Sequence, residues 1–458
     1  SFSFRRQGAY TLDPSTPATS GSSFDDLASA LRLDARFDGW RFDARVQHLY
    51  REQAAVDATP LPDGLDGRPR WRLIDRTERL HEWQARLGAT VSLDDHQLEL
   101  SLGTSLAWSW LIEDQRAGDQ YDRRQPTTET VSGAHLQWLA ALGDHRLTTG
   151  LELDVETLSS ERLGGGDPER VRVALYTQDE WRLVAPHGDG DGELTLVAGV
   201  RFDHDSEFGG ALTPRVAVRW DPWHELALRA SFGLGFRAPG FRELYLVFEN
   251  PSVGYRVEGN PALSPERSRS LELSAEWRPD DVVAATLGLF RHDLDDLIVT
   301  LPPVSREGEL DLYGYDNIDS AVAQGVETRL VLGPKPLTLE LGYAFTDSRD
   351  GDGVRIAGRA THQLTGRVSW RPALDGERAL NLGLGATVLG PRPFDIDVGG
   401  GLERVSSDWQ ALVDARAAID LEAHLALVVG VDNALDAGDP ELFQVRPRNL
   451  YLGLHGRL

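Results

Sequence analysis

The chain has no cysteine and no methionine, and of its 47 basic residues only Lys335 is a lysine. Without cysteine there are no disulfides, zinc thiolates or thiol nucleophiles. Methionine is missing even from the first position, Ser1, so a processed or truncated product is expected, with any export signal upstream. No run approaches the ~18 apolar residues of a membrane-crossing helix. That excludes a helical membrane protein but not a β-barrel, whose strands need only about 9–11 residues with one apolar face. Positive charge is also in deficit, at 47 basic against 72 acidic residues and a net −25. A nucleic-acid binder usually presents a basic face, so no nucleic-acid partner is expected.

What is present is alternation with period two. Within 146–155, Leu147, Leu151, Leu153 and Val155 share one parity, while Arg146, Thr148, Gly150, Glu152 and Asp154 share the other. The same beat runs through 380–388 and through 98–110, where Leu98, Leu100, Leu102, Leu106, Trp108 and Trp110 align. A strand displays i, i+2 and i+4 on one face. These are therefore long strands with one apolar and one polar face, and about 20 of them are expected. Helical periodicity is hard to find anywhere.

The connections are expected to alternate in length. Short ones fall near 38–39, 93–96, 142–145, 221–224, 278–281 and 421–424, and long ones near 54–72, 115–126, 204–212, 238–264 and 390–408. No short connection exceeds about seven residues and no long one is under about nine, which is the pattern of a transmembrane up-and-down barrel. Seven of the 12 tryptophans, Trp40, Trp138, Trp181, Trp220, Trp223, Trp277 and Trp370, lie close to a short turn. Indole prefers the membrane interface, so these predict an aromatic girdle at one rim. In such a barrel the polar parity faces a wet lumen, here carrying Arg32, Asp34, Arg36, Arg41, Asp43 and Arg45. The expected fold is all-β: a transmembrane antiparallel up-and-down β-barrel occupying 1–458 as one unit.

Residues 231–266 read SFGLGFRAPGFRELYLVFENPSVGYRVEGNPALSPE. A strand ending in Gly235 to Pro239 is followed by Glu243 to Tyr245. Then come Asn260, Pro261, Leu263, Pro265 and Glu266, and a strand carrying Glu272. Further along come Tyr176 to Trp181, Gly199, Arg201, Asp203, Thr213 to Arg215, Asn317, Gly325 to Glu327, and Asp432 to Asp436 around Asn433. In this order the motifs resemble the TonB-dependent outer-membrane receptors of the siderophore and cobalamin type. The resemblance covers 176–458, and the first 175 residues fit by pattern only.

The resemblance implies a location in the bacterial outer membrane and about 22 strands, with about 20 present here. It also implies an N-terminal plug and a TonB-binding segment, expected to lie upstream with the first strands. The last residue is Leu458, where the family usually ends in phenylalanine, although 451–458 keeps the beat of a closing strand. Such proteins are not enzymes. They import a ferric siderophore or corrinoid when TonB pulls the plug, sit in outer-membrane lipid and lipopolysaccharide, and are inserted by the barrel assembly machinery. A passive porin or channel is the alternative. A soluble β-sandwich adhesin or enzyme, or a barrel enzyme, would need the apolar parity inside or a working nucleophile.

Ligand selectivity is expected in loop 238–264. Arg237, Arg242, Tyr245, Phe248, Tyr255 and Arg256 offer guanidinium and aromatic faces to a large anionic or planar ligand. Pro239, Glu243, Asn260, Pro261, Leu263, Pro265, Glu266, Gly325, Glu327 and Asn433 are expected to act structurally, since proline and asparagine are turn chemistry. Acidic groups at Asp189 and Asp191, at Asp350 and Asp352, and at His292, Asp293, Asp295 and Asp296 invite a calcium reading. Calcium takes about six to eight oxygens, and none of these completes a loop ending in glutamate, so solvated turns are expected and no metal or cofactor is assigned. No catalytic triad can be placed. The glycines of GLGFRAP sit at a strand end with no helix expected after them, so no phosphate loop is assigned.

Overall fold

The structure, a computed structural model, describes residues 2–62, 69–188, 191–251, 254–301, 303–304, 310–372, 380–397, 402–422, 425–438, 442 and 445–456. Among them the sheet holds 22 strands. Twenty form one antiparallel meander, from Phe2–Gln7 and Ser23–Phe37 to Leu425–Asp432 and Asn449–Gly456. The other two, Val247–Asn250 and Tyr255–Glu258, form a loop hairpin that joins strand Asp311–Leu332 by a parallel ladder. A further hairpin, Pro393–Asp397 with Leu402–Ser406, stands apart. The Arg446 guanidinium, just before the last strand, donates to Gln7 Oε1 at the end of the first.

The apolar parity points outward. Leu151 is 47 % exposed, Leu384 51 % and Leu452 74 %, all mid-strand. Among the described residues only scattered apolar side chains, such as Ile74, Leu111, Leu158 and Val428, are buried. A water-soluble sandwich of this size would bury most of its leucines. Here the leucines form the outer wall and the charged parity lines the interior, as a membrane barrel requires. The seven tryptophans near short turns are all exposed at that rim.

One expected long connection is short. Strands Glu193–Asp205 and Gly209–Trp223 meet in a three-residue turn at 206–208. Asp205 Oδ1 accepts the Glu207 and Phe208 amides at 2.8 and 3.2 Å, and Gly209 takes φ +75°. That Asx-type closure ends the hairpin without a loop. Elsewhere the strands outrun the membrane. Trp40–Leu61 has 22 residues, which at about 3.4 Å each and a tilt of about 40° rise ~57 Å, against an apolar band of about 25 Å. The surplus lies at the long-loop end and forms a raised vestibule.

Candidate functional site

The vestibule is organised by the loop after strand Leu226–Arg237. Where no helix was expected, a five-residue helix, Phe241–Tyr245, follows the G-F-R-A-P segment. Buried Pro239 leads in, and the Glu243 carboxylate accepts the Gly240 amide at 2.6 Å, closing the first turn. Arg237 then ties three motifs together. Its Nε and Nη2 donate to Glu266 at 2.6 Å each, and its Nη1 donates to Glu243 at 3.0–3.1 Å. Glu266 Oε1 also accepts the Ile298 amide at 2.9 Å.

The N-P-x-L-x-P-E segment is fixed by two asparagines. Asn260 donates to the Tyr315 carbonyl at 3.0 Å and accepts the Ala262 amide at 2.9 Å. Asn317 donates to the carbonyls of Ser264 and Asp296 and accepts the Ser264 amide. Leu263 is buried between them, while Pro261 is exposed and Pro265 half-buried. Gly259 lies against the helix, where a Cβ would meet the Leu244 backbone at 2.6 Å. At the far end of the barrel sequence, Asn433 at φ 49° bonds Ala437 through both side-chain atoms and donates to the Arg446 carbonyl.

Beneath the helix lies a buried charged cluster. Arg170, with its side chain 3 % exposed, pairs with Glu207 at 2.7 Å and Asp205 at 3.6 Å. Its guanidinium lies between the rings of Phe241 at 4.7 Å and Phe208 at 5.4 Å. The Tyr245 hydroxyl donates to Glu207 at 3.1 Å. Burial, then this bond, pushes the phenol above its ordinary value.

The hairpin carries the aromatic cluster. Phe248 is 4 % exposed, and its ring meets Tyr255, which meets Tyr313, each at 6.0 Å between centroids. Over Phe248, at 4.2 Å, sits the guanidinium of Arg162. Its loop is sewn on by Gly164 N donating to the Tyr245 carbonyl and Val247 N donating to the Arg162 carbonyl, both at 2.7 Å. Arg162 Nε finds no hydrogen-bond acceptor among the described residues. Burial first, then repulsion from Arg242 and Arg76, lowers the Arg162 pKa. Sequence reasoning missed Arg162, which lies far from 238–264 in the chain.

The remaining expected residues separate. Arg242 faces Glu129 at 3.5 Å, and Arg256 lies between Glu249, at 3.6 Å, and Glu258. The structure brings Phe248, Tyr255 and Arg162 together. It sets Arg237 apart with Glu243 and Glu266, and Tyr245 with Glu207.

A second feature lies in the lumen, a recess of about 900 Å³ lined by Arg219, Arg229, Glu272, His292, Glu327 and Arg329. The arginines are paired, with Asp221, Glu276 and Glu340 respectively. No ion pair engages Glu272 or Glu327 among the described residues. The G-V-E segment has a local reason. Phe290 sits opposite Gly325 in the ladder, and a Cβ there would strike the Phe345 carbonyl oxygen at 2.0 Å and the Phe290 ring at 2.8 Å.

Several of the acidic groups considered for calcium are engaged otherwise. Asp350 Oδ1 accepts the amides of Asp352 and Val354, Asp293 pairs with Arg291, and His292 bonds Ser270. Asp191 accepts the His224 amide. Asp189 lies outside the described residues, as does Leu458. Among the described residues no group of three or more such side chains is placed to hold a metal ion.

An outward apolar wall, a charged lumen and a raised, loop-built vestibule define a large outer-membrane β-barrel of the receptor kind. The chain belongs to the TonB dependent receptor-like, beta-barrel family, which it matches over residues 3–434, and it is a protein of the bacterial outer membrane. It is 30 % identical over 256 residues to the iron-regulated outer membrane virulence protein of Vibrio cholerae, covering 51 % of this chain and 37 % of that protein. It is 26 % identical over 212 residues to the vitamin B12 transporter BtuB of Photobacterium profundum, covering 45 % and 32 %. These matches thus span about a third of the curated relatives' length. The fold is shared with the siderophore receptor PirA from Acinetobacter baumannii, at TM-score 0.70, 14 % identity, and coverage of 99 % of this chain and 79 % of that one.

Proposed function

We propose that this chain is the wall and vestibule of a receptor that captures a bulky anionic iron chelate at the cell surface and imports it under TonB drive. The observation that carries the reading is Arg162: a half-buried guanidinium stacked on Phe248 and crowded by Arg242 and Arg76. A polyanion would relieve that repulsion, and Tyr255 beside it offers a ring face to a planar ligand. The names of the relatives support iron or corrinoid cargo. A neutral corrinoid would gain less from arginines that repel one another.

Arg242, Tyr255, Arg256 and Arg162 are assigned to the ligand. Arg237, Tyr245 and Phe248 shape the floor beneath it. Glu272 and Glu327 would meet basic groups of a plug filling the lumen. The test is ligand binding to the purified protein by tryptophan quenching, with Arg162→Gln/Arg242→Gln against wild type. A ferric tris-catecholate should bind at least tenfold more weakly to the variant, and cyanocobalamin no differently. Equal catecholate affinity would remove the arginines from the site. Rapid ion conductance by the intact protein in planar bilayers would favour a passive channel.

A further inference from the structure

The inner face of the first long strands carries a row of like charges. In Ser23–Phe37, Trp40–Leu61 and Arg70–Leu93 the outward parity holds exposed Leu31, Leu33, Val46 and Leu87. The lumen parity holds Arg32, Arg45 and Arg86, which stand directly opposite one another across the three strands. Opposed side chains have Cβ atoms about 5 Å apart, and like charges there destabilise a sheet. Arg32 is bonded to Asp34 at 2.7 Å. Arg45 and Arg86 are exposed and make no ion pair among the described residues. Asp43 lies over Gly88 instead, where a Cβ would meet its Oδ1 at 2.2 Å.

Beside these arginines the wall is hollowed out. Arg86 stands opposite Gly103, and Gly103 opposite Gly133, so two neighbouring positions have no side chain. The result is a recess of about 490 Å³ in which Arg45, Gln47, Gln84, Arg86, Ser101 and Ser105 supply donors. On its far side Glu152 is taken by Arg201 at 2.6 Å, and Asp154 stands opposite Arg172 in the ladder. The larger recess has the reverse balance. Its three arginines are paired, while Glu272 and Glu327 make no ion pair among the described residues.

Arg86 lies ten residues from Arg76 on the same face of one strand. At about 3.4 Å per residue and a tilt of about 40°, it stands ~26 Å nearer the tryptophan rim. Arg76 belongs to the vestibule, where it crowds Arg162. Closer still to that rim, Arg36 and Arg41 form a second opposed pair next to Trp40. Arginines thus mark one inner flank from the vestibule to the far mouth.

We propose that the recess beside Arg45 and Arg86 is a second anion site, at membrane depth, which takes a polyanion after it leaves the vestibule. Arginine forks match the oxygens of phosphate and carboxylate groups, and the glutamines and serines add neutral donors. Walls of low dielectric focus the field of the opposed cations into the recess. An anion bound there removes the cross-strand repulsion. No phenylalanine, tyrosine or tryptophan lines the recess, so the site reads charge rather than shape and holds cargo less tightly than the vestibule does. The transit role rests on the vestibule reading; the anion site does not.

The test uses the purified full chain folded in detergent, with inorganic tripolyphosphate as the probe in titration calorimetry. Variants are built on Arg162→Gln/Arg242→Gln, which removes two vestibule cations. On that background tripolyphosphate should still bind, and adding Arg45→Gln/Arg86→Gln should weaken it at least fivefold. Adding Arg215→Gln/Arg416→Gln should leave it within twofold, since each of those lumen arginines stands between glycines in its ladders. If the Arg45→Gln/Arg86→Gln protein loses its heat-modifiable gel mobility, Arg86→Gln alone decides, with at least a twofold loss. In cells with the vestibule intact, Arg45→Gln/Arg86→Gln should lower uptake of ferric tris-catecholate per molecule bound at least threefold. The anion site is overturned by absent binding on the background, by unchanged binding after Arg45→Gln/Arg86→Gln, or by an equal loss after Arg215→Gln/Arg416→Gln. Unchanged uptake per bound chelate overturns the transit role. Failure of the vestibule reading shows separately, as equal catecholate affinity in Arg162→Gln/Arg242→Gln, and leaves the tripolyphosphate result standing.

Discussion

Replacing Leu151 by arginine puts the inside-out arrangement to its most direct test. Leu151 lies six residues beyond His145, which pairs with the rim residue Trp181. At about 3.4 Å per residue and a tilt of about 40°, Leu151 stands ~16 Å above that rim, within a few ångströms of the middle of a ~25 Å band. It is 47 % exposed on the outer face, so its arginine replacement enters hydrocarbon. The cost for arginine near the midplane is about 2–4 kcal/mol, or roughly 30- to 700-fold in the folding equilibrium. Thr148→Arg is the control, since Thr148 has the opposite parity and faces the lumen. Equilibrium folding into phospholipid vesicles, read by tryptophan fluorescence and heat-modifiable mobility across a urea series, measures both. Leu151→Arg should lose most of that free energy and Thr148→Arg less than about 1 kcal/mol. Equal losses, or a larger loss at Thr148, would refute the outward assignment.

Other outcomes follow from the same geometry. Gly325→Ala should cost about 1–3 kcal/mol through its clash with Phe345 and Phe290, whereas Gly385→Ala, with open space around it, should be tolerated in thermal melts. Arg170→Met should destabilise the vestibule by about 3–5 kcal/mol, since it strands Asp205 and Glu207; faster proteolysis of loop 238–264 with an intact barrel is the readout. The Arg404 guanidinium, bonded to Asp395 at 2.8 Å, holds that carboxyl below its usual range. Its contribution is therefore complete above the ordinary carboxylate pKa of about 4 and lost as pH falls through the depressed value. Amide protection in the hairpin Pro393–Asp397 with Leu402–Ser406, corrected for the intrinsic pH dependence of exchange, should stay flat from pH 5 to 8 and fall only in stronger acid, and Arg404→Gln should remove that acid-dependent fall. Glu272→Gln/Glu327→Gln should abolish uptake by cells while leaving surface binding of the chelate within twofold.

The strands were legible because a two-sided wall writes its parity into every segment, and Leu147 to Val155 needed no tertiary knowledge to read. The rim tryptophans were legible for the same reason: their partner is the solvent boundary, not another residue. What stayed hidden depends on distant partners. The turn at 206–208 rests on Asp205 capping two amides, and a lone aspartate does not announce that role. Arg237 read as a ligand-facing cation, but its two carboxylates arrive from positions six and 29 residues onward. Arg162 reaches Phe248 only because two loops are sewn together by backbone bonds, which carry no side-chain signature.

The scarcity of dry interior has an evolutionary corollary. When hydrogen-bonded ladders and an oily exterior hold a cylinder in shape, residues facing the water-filled bore are nearly exempt from packing constraints. Natural variation can re-tailor the chemistry of that bore and its mouth, position by position, with little risk of collapse. One scaffold can in this way be refitted at its mouth again and again without rebuilding its wall.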